Sequence, residues 1–185
     1  MNSPWNCRSA WFGRLSVNLP KVGAHLFEDF ERSAWRFETQ PVYTMPDEAE
    51  NFRLFREGKL RLEHPDGWWH KLVRAKTSSG KSMGRVRVIR RPLNDYVRYQ
   101  FHRGIPNNIA SGEDIRILDI TGLSLDLPDQ DFWLFDDATV LHLNFRPDGT
   151  LIDREIVKNP DLDIYRTWQK TALEHAVPFE DYVRS

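Results

Sequence analysis

Six histidines, a single cysteine and a set of carboxylates at element ends are the side chains with which this chain of 185 residues could do chemistry. His25, His64, His70, His102, His142 and His175 include no pair at H-x-H or H-E-x-x-H spacing, so no motif sets two imidazoles on one face to share a metal. Cys7 has no second thiol, which removes both an intramolecular disulfide and a cysteine-rich zinc site. Neither a metal nor a cofactor is expected. His70, beside Trp68 and Trp69, reads as a half-buried helix residue. Gly80-Lys81-Ser82 matches the end of a phosphate-binding loop, but Ala75 stands where that loop needs its first glycine. Carboxylate chemistry remains. Glu38, Glu113, Asp131, Asp136 and Asp137 fall at element ends, and the strand ends of an open sheet are where ligands collect. An aspartate in a turn, however, more often bonds its own backbone than takes a proton.

Charge is the second chemical signal. The formal net charge is −1, which excludes a wholly basic nucleic-acid coat and an acidic tail. Along the chain the signs separate. Residues 71–103 hold ten bases against Asp95, and residues 107–163 hold thirteen acids against four bases. The basic stretch could form a patch for phosphate groups. Alternatively it lies beside the acidic strands and pairs with them inside the fold, each exposed pair contributing only ~0–1 kcal/mol. There is no C2H2 pattern, basic zipper or convincing helix-turn-helix, so nucleic-acid binding by this chain alone is disfavoured.

The elements that must position these groups follow from periodicity. Leu26, Phe27, Phe30, Ala34 and Phe37 share a helical stripe, predicting a helix over 24–37 with Glu38 just after it. Val42-Tyr43-Thr44 reads as extended. Asp47 and Glu50 mark a helix start and Gly58 its end. A third helix carries Trp68, Trp69, Leu72 and Val73, and a flexible turn follows over 77–82. Alternation predicts a strand over 85–90, Asn94 caps a helix over 94–103, and 104–112 reads as a loop with Gly104, Pro106 and Gly112. Strands follow at 114–118, 131–135 and 139–145. Pro147-Asp148-Gly149 turns into Leu151-Ile152. A last helix presents Ile164, Tyr165, Trp168 and Ala172 on one face.

This order implies a parallel strand–helix–strand pair extended by an antiparallel hairpin. The fold class is therefore α/β (or α+β), a mixed sheet covered by helices on both faces. Residues 1–22 read as an N-terminal arm with Trp5, Trp11 and Phe12 as anchors, and 23–185 as a single domain. The 40% hydrophobic content suits a packed core, and no run is apolar enough for a membrane span. One thiol and no secretory pattern point to a cytoplasmic protein.

Several scattered motifs resemble a known family. They are Phe27-x-x-Phe30-x-x-Ser33-Ala34, Arg36-Phe37-Glu38-Thr39-x-Pro41-x-Tyr43, Glu50-x-Phe52 with Gly58, Arg85-Val86-Arg87-Val88-Ile89, Pro92-Leu93-x-Asp95-Tyr96-x-Arg98-Tyr99, Asn108 through Gly112-Glu113-Asp114-Ile115-Arg116, and Asp131-Phe132-Trp133-Leu134-Phe135-Asp136-Asp137. Across roughly residues 25–180 they resemble an uncharacterised family of actinobacterial proteins defined only as a domain of unknown function. Its members are often encoded beside helix-turn-helix regulators, which implies regulation. In the second half, Gly112-Glu113, Leu127-Pro128, Asp136-Asp137 and Asn159-Pro160 resemble the plan of phospholipase-D-like regulatory domains. The chain has no His-x-Lys motif, so this resemblance implies that fold without its catalytic nucleophile.

Together these readings predict a non-enzymatic regulatory or ligand-sensing domain that acts with a helix-turn-helix partner on an anionic small molecule. Arg85, Arg87 and Arg98 would contact the anion, and Glu38, Tyr43, Trp69, Tyr96, Tyr99 and Glu113 would line its pocket. The competing bland reading makes Arg36–Glu38 and Arg87–Glu113 ion pairs that tie helix to sheet. An enzymatic alternative is a small enzyme of a secondary-metabolite or nucleotide pathway, with Glu38, Glu113 or Asp131 as base and Trp69 stacking on substrate. A third possibility is a homodimer in which the N-terminal arm swaps onto a second copy.

Overall fold

A computed structural model describes residues 22–59 and 67–185. The elements in chain order are α1 (Leu26–Asp29), β1 (Ser33–Glu38), α2 (Ala49–Arg56, entered through a 3-10 turn at Pro46–Glu48), α3 (Trp68–Ser78), β2 (Ser82–Ile89), α4 (Asp95–Tyr99), a π turn (Gln100–Gly104), α5 (Ile105–Ala110), β3 (Asp114–Asp119), β4 (Asp131–Phe135), β5 (Thr139–Phe145), β6 (Leu151–Ile156), α6 (Leu162–His175), β7 (Val177–Pro178) and α7 (Phe179–Tyr182). They build a mixed sheet in the order β6-β5-β4-β1-β2-β3-β7. β1, β2 and β3 are parallel, and every other pairing is antiparallel. The predicted mixed α/β sheet is present, including the β2–α4–β3 parallel unit. Most of the proposed arm lies outside the described residues.

Strand alternation sorts the side chains onto two faces. One face carries Trp35, Phe37, Val86, Leu118, Phe132 and Leu134, and α6 covers it with Tyr165, Trp168 and Ala172. The other carries Ala34, Met83, Trp133 and Phe135 beneath α1 and α3, and further along Ile89, Ile115 and Ile117 beneath α4 and α5. Phe132 has no exposed surface and packs against Tyr165 and Trp168. Truncation of such a residue to alanine costs about 3–5 kcal/mol.

Four local expectations are corrected. The helix over 24–37 is only one turn, α1, followed by β1. Phe27, Phe30 and Ala34 do share one surface, as the stripe requires, but Phe37 points through the sheet into the opposite core. The Trp35-Arg36-Phe37-Glu38 alternation was the stronger signal. Residues 104–110 are helical rather than a loop. Proline is excluded from a helix interior because it lacks an N–H. The π turn at Gln100–Gly104 restarts the helix so that Pro106 falls in the opening turn of α5, where that N–H is not needed. Over 77–82, α3 continues to Ser78 and is closed by Gly80 at φ +82, with Lys81 N–H reaching the Lys76 carbonyl. The Asn94 cap is present, its Oδ1 accepting from Val97 N–H at 2.8 Å. Asp47 makes no side-chain cap.

Candidate functional site

The alternation that buries Trp35 and Phe37 on one side sends Arg36 and Glu38 to the other. Parallel register places Arg85 beside Arg36 and Arg87 beside Glu38. Asp131 reaches the same layer from β4, and Glu113 reaches it from the entry to β3. Glu113 follows Gly112, whose φ of +104 and close approach to Thr77 leave no place for a side chain. Three guanidinium groups and three carboxylates thus meet on one face of the sheet, between the aromatic cores.

Arg85 is held at both ends, donating from Nε to Glu113 Oε1 at 2.6 Å and from Nη1 to Glu38 Oε1 at 2.9 Å. Arg36 Nε lies 3.1 Å from Glu38 Oε1, off the N–H direction, so this contact is an ion pair without a hydrogen bond. Arg36 Nη2 donates to Asp131 Oδ2 at 3.3 Å. Asp131 is fully buried and also accepts from Thr39 N–H, Thr39 Oγ1 and, at 2.5 Å, Tyr43 Oη. Burial pushes the Glu38 carboxyl up, but Arg36, Arg85 and Arg87 outweigh it and hold the group below its ordinary value. Arg85 is held above its ordinary value by Glu113 and Glu38 against the opposing effect of burial.

A roof of aromatic rings closes the layer. Tyr43, Tyr96 and Tyr99 form one buried cluster, with Phe52 and Phe55 of α2 packed on it. Arg36 and Arg87 lie 5.4 and 5.1 Å from the centre of the Tyr43 ring, and Arg85 lies 5.9 Å from that of Trp69. Trp69 Nε1 donates to Glu113 Oε2 at 3.4 Å. Tyr96 Oη donates to Glu48 Oε2 at 2.9 Å. Burial, assisted by Glu38, raises the Glu48 carboxyl. Burial also drives the Tyr43 and Tyr96 phenols well up and pushes Tyr99 to about 12. The roof is fastened by the β5–β6 hairpin, where Thr44 N–H donates to the Gly149 carbonyl and Thr44 Oγ1 to that of Asp148.

Arg87 differs from its neighbours. It has no exposed surface, and its Nε donates to Gln100 Oε1 at 3.0 Å, from the first residue of the π turn. Its two terminal nitrogens, Nη1 and Nη2, are buried with no hydrogen-bond partner. An unsatisfied guanidinium of this kind is costly, so the two outer nitrogens are the unfinished part of the site.

Of the sequence-predicted site residues, Glu38, Tyr43, Trp69, Arg85, Arg87, Tyr96, Tyr99 and Glu113 converge here. Arg98 does not, its exposed side chain lying 3.9 Å from Asp95 on the outer side of α4. The expected Arg87–Glu113 pair is not made, because Arg85 takes Glu113. The Arg36–Glu38 pair is made within a single strand rather than between helix and sheet. Glu48, Gln100 and Thr39 were missed. Nothing in their spacing marks them, since each reaches the layer through tertiary packing. Among the described residues no group of His, Cys, Asp and Glu is arranged to hold a metal, and no helix is long and apolar enough to cross a membrane.

No curated protein matches the sequence. Residues 23–184 match the family described as Domain of unknown function (DUF6879), and the chain belongs to that family.

Proposed function

We propose that this chain is a non-enzymatic ligand-sensing domain for a small anionic molecule, with Arg87 as the anion-binding group. In this reading it serves as the regulatory partner of a helix-turn-helix protein on a phospholipase-D-like scaffold. One observation carries the proposal: the outer nitrogens of a fully buried guanidinium have no partner. A carboxylate or phosphoryl group presents paired oxygens at the spacing of those nitrogens. The mixed α/β sheet supports the scaffold part of the reading, and the lack of a His-x-Lys motif supports only its non-enzymatic part.

The commitments of the carboxylates favour sensing over acid–base catalysis. A general base needs a free lone pair and a pKa near the working pH. Glu38 is held down by three arginines, Glu113 is bound to Arg85 and Trp69, and Asp131 accepts from Thr39, Tyr43 and Arg36. These groups build the floor that holds Arg87 in place.

Thermal melts of the full chain with inorganic phosphate, pyrophosphate, AMP and citrate test the proposal, with Arg87→Met as the control. A ligand at about a hundred times its Kd stabilises by about 2.7 kcal/mol, or roughly 5–10 °C in Tm for a chain of this size. At least one of these anions is expected to shift the wild type by that amount. Arg87→Met, which removes the two unpartnered buried nitrogens, is expected to unfold cooperatively and to show no shift. Absence of any shift in the wild type, or an undiminished shift in Arg87→Met, rejects the reading.

A further inference from the structure

A second cavity lies apart from the arginine layer. β1, β2 and β3 run parallel and end at Glu38, Ile89 and Asp119. The segments that leave them, 39–41, 90–94 and 120–129, surround a cleft of about 460 Å³. The last of these carries the chain from β3 back across the strand ends to β4, on the far side of β1. A crevice outside the carboxyl ends of parallel strands, where the winding reverses, is the general ligand position in open α/β sheets. The volume is that of a small-molecule site.

The lining specifies a chemistry. The lining is mixed: Val88, Val97, Ile120, Leu125 and Leu127 form an apolar wall, and Thr39, Asn94 and Ser124 add polar groups. Two charged residues line it, Arg90 and Asp129. Both are exposed, and neither forms an ion pair with any described residue. Arg90 makes only a long contact, 3.5 Å from Nη1 to the Ile120 carbonyl. The walls therefore offer one cation and one anion without an ion-pair partner among the described residues, beside an apolar wall. We infer that this cleft binds a hydrophobic α-amino acid, its carboxylate on Arg90, its ammonium on Asp129 and its side chain among the leucines and valines.

Calorimetric titration of the full chain with L-phenylalanine, 3-phenylpropionate and phenethylamine tests the inference. Phenylalanine is expected to bind once per chain, about tenfold or more tighter than either analogue lacking one charge. Arg90→Ala should bring phenylalanine down to the level of phenethylamine, and Asp129→Ala to the level of 3-phenylpropionate. Leu125→Trp, which fills the cleft, should abolish binding, and the two exposed substitutions serve if that variant does not fold. Arg87→Met should bind phenylalanine as the wild type does, so the outcome is independent of the arginine layer. Absence of heat with phenylalanine at millimolar concentration, or equal binding of all three compounds, overturns the inference. Unchanged binding in a natively folded Leu125→Trp does so too.

Discussion

Glu48 and Glu38 face the same buried layer and shift in opposite directions, which makes them a direct probe of its electrostatics. Glu38 has three arginines around it and is held down, whereas Glu48 sits above them, largely desolvated and with Glu38 as a neighbour. A carboxyl raised in the folded state favours folding most when protonated. Its contribution becomes a penalty as pH rises through the folded value. Glu48→Gln keeps an oxygen to accept from Tyr96 and removes the charge. The variant is expected to melt a few degrees above wild type at neutral pH, with the gap closing as pH falls below the ordinary carboxylate range. Melts across a pH series check this, and a gap that widens on acidification contradicts the assignment. Asp131 has its lone pairs engaged by Thr39, Tyr43 and Arg36, so its role is to fix Tyr43 and Thr39 in place.

The element that fixes the roof is the β5–β6 hairpin, remote in sequence from Tyr43. Gly149 sits at φ +82, and a Cβ there would run into the Val42 backbone. The turn must therefore be glycine both for its left-handed conformation and for the close approach. Gly149→Ala is expected to cost about 2–3 kcal/mol, since strain and collision act together. It should also weaken any anion-induced stabilisation, because the Thr44 tether beside Tyr43 is displaced. Denaturant unfolding with and without phosphate measures both effects, and full retention of stability would show that the hairpin and the Tyr43 segment are not coupled. Asp136 performs an equivalent task at the other end of β1, its carboxylate accepting from the N–H groups of Glu31, Arg32 and Ser33.

Across the whole molecule, the strongly basic stretch of residues 71–103 is dispersed by folding. Arg85 and Arg87 go into the interior, Arg91 pairs with Asp119 and Tyr182, and Lys76 and Lys81 lie over the Phe30 ring. Arg98 is turned outward next to Asp95. Those residues are thereby removed from, or paired within, any basic surface, and the total charge is close to neutral. The isolated chain is therefore expected to pass through heparin and duplex-DNA columns at physiological salt without retention. Tight, salt-sensitive retention would mean that the basic residues act as a surface after all.

Sequence alone determined several elements by local rules: the Asn94 cap, the β2 alternation, the Pro147-Asp148-Gly149 turn, the α6 helix (whose Tyr165, Trp168 and Ala172 face the core although Ile164 is exposed) and the parallel β2–β3 step. It also named most of the residues that meet in the layer, but, with 24–37 read as a helix, it did not show that Arg36 and Glu38 of β1 share a face with Arg85 and Arg87 of β2. Three things were decided only by tertiary structure. Phe27, Phe30 and Ala34 face a common core from two different elements, which a one-dimensional period reads as one helix. Glu113 went to Arg85 rather than Arg87 because strand register, invisible to spacing within either strand, sets which neighbours meet. Arg87 was left with two unpartnered nitrogens because what packs around it, Gln100 of the π turn on its Nε and the Tyr43 ring, comes from separate connections, and such packing depends on the tertiary fold rather than on local sequence.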